Sequence, residues 1–184
     1  MKKIIAIIAF FTILTGCSLR LSDIDNTPTK KVEAYLNNYQ KLSDDVINDL
    51  DIVVLKQPDL TDQQKDKYRK IMKNNFKNLI YKIKEETVNG TQATVEVEID
   101  VTDFYKTNKA SDSYLAEHKN EFLDLNGNYD SNKFMDYKLE QMSNTKDKVK
   151  YTIYFNLTKN SKGKWEVDDL DENDEDKILG LYEY

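Results

Sequence analysis

Leu79-Ile80-Tyr81-Lys82-Ile83-Lys84, the turn Asn89-Gly90, and Ala93-Thr94-Val95-Glu96-Val97-Glu98-Ile99-Asp100-Val101-Thr102 together decide the fold class. Apolar residues recur at every second position on both sides of an Asn-Gly pair, the strongest short-range signal for a β-hairpin. On the return strand Ala93, Val95, Val97, Ile99 and Val101 share one face, and Glu96, Glu98 and Asp100 share the other. Strict alternation on an antiparallel strand predicts one buried and one wet face, which directs these carboxylates to solvent rather than to a catalytic or metal site.

A second hairpin closes the chain. Val149, Tyr151, Ile153, Phe155 and Leu157 alternate with polar or outward positions, Asn160-Ser161-Lys162-Gly163 turns, and Trp165 and Val167 continue the inward pattern. Upstream the period is helical. Thr27-Pro28 supplies an N-cap and a first-turn proline, and Val32, Leu36, Tyr39, Leu42, Val46, Leu50 and Val53 predict one amphipathic helix ending near Leu55, with Pro58 as its limit. Thr61 with Gln64 forms a capping-box pattern opening another helix, whose inner face is Tyr68, Ile71, Met72 and Phe76. These aromatic stripes are read as core.

Between the hairpins, Ser111 to Met142 lacks strand alternation and predicts two short helices separated by Asp124 to Asp130. That separator has oxygen ligands at alternate positions but departs from a calcium loop, with Tyr129 and Met135 where glycine and glutamate are required. It is read as a turn. His118 is the single histidine and has no cysteine or second histidine to complete a zinc set, so it is read as a surface residue. Asp168 to Asp176 is almost entirely acidic and predicts a solvated loop. Asp169, Asp171 and Asn173 fall at calcium-loop offsets there, while Asp174 and Gly180 spoil the remaining positions. No metal or cofactor is expected.

The N-terminus carries an address. Lys2 and Lys3 precede an apolar run from Ile4 to Leu14, broken only by Thr12 and too short to span a bilayer as a helix. Leu14-Thr15-Gly16-Cys17 follows, and Cys17 is the one cysteine in the chain. Small residues leading into Cys17 resemble the lipobox of bacterial lipoproteins, which implies recognition through Leu14, Thr15 and Gly16, lipid on the Cys17 thiol and cleavage before it. A diacylglyceryl anchor holds a membrane stably where one chain does not. Residues 1–16 are then a signal peptide, 17–27 the lipidated cysteine and a tether reaching roughly 30 Å if extended, and 28–184 a single domain. With Cys17 acylated, no thiol remains for a disulfide. Loss of Lys2 and Lys3 takes the formal net charge from −6 to −8, which excludes a nucleic-acid partner of the usual kind, since phosphates call for a basic face.

The element order predicts an α+β fold, an antiparallel sheet of two hairpins packed on N-terminal helices. The Thr27-Pro28 helix with its Val32, Leu36 and Tyr39 stripe, the Asn89-Gly90 hairpin and the closing strand Gly163-Lys164-Trp165-Glu166-Val167-Asp168 together resemble bacterial lipoproteins with a nuclear-transport-factor-2-like (cystatin-like) domain, over residues 27–170. That resemblance implies a conical roll whose curved sheet and long first helix enclose a pocket, here with a helical insert at 111–142. Ketosteroid isomerase and scytalone dehydratase place acid and base residues in such a pocket, and no motif of theirs is matched here residue by residue. The expectation is therefore a non-catalytic cell-envelope lipoprotein on the outer, extracytoplasmic face of the cell membrane, binding a protein or small-molecule ligand. The alternatives are an immunity-type or inhibitor lipoprotein that sequesters a peptide toxin or protease, and a pocket enzyme of isomerase or dehydratase type.

Overall fold

The structure, a computed structural model, describes residues 26–55 and 59–184. Leu14 to Cys17, the tether up to residue 25 and Pro58 lie outside the described residues.

Three helices come first: α1 (Pro28–Lys41), α2 (Asp44–Leu55) and α3 (Asp62–Lys77). Thr27 caps α1 by accepting from the Lys30 amide, with Pro28 in its first turn. Thr61 and Gln64 close the capping box of α3 in both directions. The single helix expected over 28–55 is divided. Leu42 adopts a left-handed conformation (φ 54°) and the Ser43 amide bonds back to the Asn38 carbonyl, a Schellman-type stop. Ser43, Asp44 and Asp45 then open α2, the acids lying at its positive end. The break resets the helical phase. Val46, Leu50 and Val54 point inward, and Val53, which continued the single-helix stripe, is 39% exposed.

β1 (Ile80–Asn89) and β2 (Gln92–Thr102) form the first hairpin around Asn89-Gly90. Asn89 pairs with Gln92, so the two loop residues are Gly90 and Thr91, one position later than an Asn-Gly turn, and Gly90 supplies the positive φ (+63°) at the first of them. A bulge at Lys84 shifts the register of β1. Next come α4 (Phe104–Glu117), a short 3₁₀ turn at Lys119–Phe122, and α5 (Ser131–Asn144), the two helices expected of the insert. The first starts earlier than expected because Asp103 caps it through the Lys106 amide. Asp124 accepts from the amides of Asn126 and Asn128, so the calcium-like segment is a side-chain-closed turn. Leu125 at its tip is fully exposed and joins no helix. The chain continues through β3 (Lys148–Lys159) and β4 (Trp165–Val167).

Asp168 to Asp176 is the other correction. Its second half belongs to α6 (Glu172–Leu179), for which the Asp171 carboxylate accepts the Asp174 amide as N-cap, three acids fill the first turn and Lys177 the last, and Gly180 ends the helix. Acidic residues that repel in a loop are favourable at a helix N-terminus.

The fold is α+β. All strands are antiparallel in the order β1-β2-β3-β4, with the helical insert between β2 and β3. Ala93 to Val101 and Tyr151 to Leu157 present alternate side chains to one core, which α1, α2, α3 and α6 complete with Val32, Leu36, Leu50, Val54, Met72, Phe76 and Ile178. The opposite sheet face is polar. There Glu98 lies between Lys84 (3.0 Å) and Lys150 (3.3 Å), and hydrogen bonds from these lysines hold its carboxyl below the usual range. The insert packs around its own aromatic group of Tyr114, Phe122, Phe134 and Tyr137. His118 stacks on Tyr114 at 3.9 Å.

Candidate functional site

α1 packs on the core face of the sheet and on α3, and its residues line one junction together with residues of α2, α3 and α6. The stripe assigned to core does not fill this junction. Tyr35 and Tyr39 are only partly buried and, with Tyr68, Leu50, Phe76 and Ile178, line a cleft of about 450 Å³, a size suited to a small ligand or a few side chains.

Helical spacing puts Tyr35 and Tyr39 one turn apart, with ring centroids 5.6 Å apart and hydroxyls at 3.4 Å. Tyr35 meets Phe155 of β3 edge-on at 5.6 Å, and Tyr39 meets Phe76 of α3 at 5.1 Å, so the sheet and α3 fix both rings. Burial pushes the Tyr39 phenol far above its ordinary range, reinforced by Tyr35. Burial also raises Tyr35, the hydrogen bond to Tyr39 opposes this, and Glu175, Asp49 and Asp169 add to it. Tyr68 is raised by burial and by Asp176. All three are neutral phenols at physiological pH, offering π-faces and O–H groups rather than a phenolate base.

The mouth is acidic. Asp49, Asp168, Asp169 and Glu175 stand among the lining residues, which include no lysine, arginine or histidine. On the α2 side Ile52 and Val53 extend the wall outward, 50% and 39% exposed, and Leu55 lies exposed just beyond.

Of the residues singled out in the sequence, Asp169 joins this mouth. Asp171 instead caps α6, and Asn173 is exposed in its first turn. The structure thus gives the three different tasks. Among the described residues, no group of three or more His, Cys, Asp and Glu is placed to hold a metal ion. Cys17 and its preceding residues lie outside the description. Tyr35, Asp49 and Glu175 were missed by sequence reasoning. The available signal was Tyr35-x-x-x-Tyr39, two aromatics one turn apart on a helix whose aliphatic stripe was already complete.

Two other places differ from the cleft in how their polar groups are engaged. A more open groove of about 970 Å³ lies between α3 and α5, lined by Lys67, Lys70, Lys146 and Lys148 with one acid, Asp66. Lys67 is already paired with Glu140 at 2.7 Å, and Asn75 on its floor has both ends of its amide engaged. The buried Asp103 carboxylate accepts the Lys106 amide and the Tyr184 hydroxyl at 2.8 Å, which pins the C-terminal residues.

The fold and cleft define an α+β domain with an aromatic, acid-mouthed cleft on the helical side of an antiparallel sheet. No family model and no curated protein matches the chain. Among solved structures, the crystal structure of a candidate lipoprotein (ycdA) from Bacillus subtilis is similar, with a TM-score of 0.48 and 14% sequence identity over 89% of this chain. The chain spans 58% of the length of that structure. A likeness this loose transfers neither function nor residue roles.

Proposed function

We propose that this chain is a non-catalytic binding protein of the cell envelope, held by lipid on Cys17 at the extracytoplasmic face of the membrane, with the cleft between α1, α2, α3 and α6 as its binding site. The observation that carries the reading is the cleft's composition. It combines fixed aromatic faces, neutral phenols and acids at the mouth, which suits recognition, and it offers no nucleophile beside a base. The resemblance of the N-terminal residues to a lipobox supplies the anchor. Among the described residues no helix is long and apolar enough to cross a membrane. The long α1 laid across the sheet agrees with a nuclear-transport-factor-2-like roll as the finer description of the fold.

Ile52, Val53 and Leu55, exposed beside the cleft, favour the second reading, an immunity-type or inhibitor lipoprotein with a peptide or protein partner, over a small metabolite. The test is protease treatment of intact cells or spheroplasts expressing the full chain. Degradation from outside is expected. Full resistance, with a surface control digested, contradicts the placement.

A further inference from the structure

The cleft's charge is uncompensated. Asp49, Asp168, Asp169 and Glu175 form no ion pair among the described residues, and Asp168 only accepts the Thr158 hydroxyl at 3.2 Å. Arg69 bonds Asp51 at 2.7 Å and Asp66 at 2.8 Å, Lys177 bonds Asp174 at 2.7 Å and lies over the Tyr182 ring, and Lys159 lies over Trp165. Carboxylates gathered without counter-charge at the rim of a recess attract a cationic ligand and repel an anionic one.

The walls add a second requirement. Below the acids the lining is aromatic and aliphatic, and Ile52, Val53 and Leu55 carry that apolar surface out along α2. A small amine would reach the acids and tyrosines but leave the α2 residues in water. A ligand satisfying both features carries apolar groups and positive charges along one extended body.

We infer that the cleft takes a cationic amphipathic peptide, its apolar side chains on Tyr35, Tyr39, Leu50 and the outer residues of α2, and its lysines or arginines at Asp49, Asp169 and Glu175. This rests on the reading of the cleft as the binding site. The neutral tyrosine rings also present π-faces that a lysine or arginine can approach, and the mode is that of an apolar peptide face laid in a groove. An anionic lipid surface is repelled by the same acids.

The test titrates the full chain, in a non-ionic detergent, into a fluorescein-labelled amphipathic helical peptide of leucine and lysine, followed by anisotropy with detergent alone as blank. Saturable binding that weakens with added salt is expected. Acetylating the lysines, or making the Asp49→Asn/Glu175→Gln double variant, is expected to weaken it by roughly tenfold, with unfolding midpoints showing that the variant is folded. Equal binding of the acetylated peptide and by the double variant overturns the cationic assignment while leaving the cleft as the site. No binding of the lysine peptide overturns the inference. Undiminished binding by a Val53→Trp variant, whose ring fills the mouth, places the peptide elsewhere and overturns the reading of the cleft itself.

Discussion

A Cβ added at Gly180 would stand 2.0 Å from the carbonyl oxygen of Thr102. Gly180 also has φ +74°, and its own carbonyl accepts the amides of Phe104 and Tyr105. The end of α6 is thus pressed onto the junction of β2 and α4 with no room for a side chain. Gly180→Ala is expected to cost about 3 kcal/mol, combining left-handed strain with a clash against backbone. Gly90→Ala has the same sign of φ but open space around it, and is expected to cost about 1 kcal/mol. Urea unfolding of the two variants checks the difference, and equal losses would remove the close approach from the account.

Asn75 serves the same junction from α3. Its amide nitrogen donates to the carbonyls of Ile178 and Leu179 at 3.2 and 3.3 Å, and its oxygen accepts the Thr102 amide at 3.0 Å. Asn75→Ala leaves buried backbone groups without partners and is expected to destabilise by about 2–3 kcal/mol. Limited proteolysis should then cut first within residues 168–184, because α6 loses its tie to α3. An unchanged cleavage pattern would speak against that tie.

Asp176 lies half-buried on α6, and its carboxyl is raised by burial and secondarily by Glu172. With the folded value above the unfolded one, the folded chain holds this proton more tightly. The stabilisation from protonation is fully present below the ordinary aspartate range and is lost as pH rises through the folded value. Asp176→Asn is therefore expected to stabilise at neutral pH by roughly a few tenths of a kcal/mol, with the gain disappearing in acid. Thermal unfolding at several pH values checks this, and a gain that grows toward low pH would contradict the sign.

Thr29 and Glu86 join the start of α1 to β1. The Glu86 carboxylate accepts both the Thr29 amide at 2.9 Å and its hydroxyl at 2.6 Å, at the positive end of the helix. Glu86→Gln is expected to cost about 0.5–1 kcal/mol, less so at high salt. Chemical denaturation at two salt concentrations measures it, and a loss that is independent of salt would point to packing instead.

The sheet was legible in the residues because period-two alternation and Asn89-Gly90 report a face and a turn within a few positions. Trp165, expected to point inward on the last strand, is buried. The division of α1 from α2 was hidden because leucine rather than glycine takes the left-handed position, although Ser43-Asp44-Asp45 is itself a helix-start signal. α6 was hidden because a run of acids has the same composition in a solvated loop as in a helical first turn, and only the Asp171 cap distinguishes the two. The cleft was less legible still. Its lining comes from α1, α2, α3, α6, the end of β4 and the segment after it, so no local pattern could bring Tyr35, Asp49 and Glu175 together. Periodicity told which residues leave water, but not which of them fail to meet.

The anchor is the central claim, since it places the cleft outside the membrane, and Cys17→Ser tests it most directly. Cells expressing the full chain or this variant are labelled with palmitate and fractionated. The wild-type protein is expected to be labelled and found with the membranes, and the variant to lose both the label and the membrane association. A variant that stays membrane-bound and takes up label as before would contradict the account.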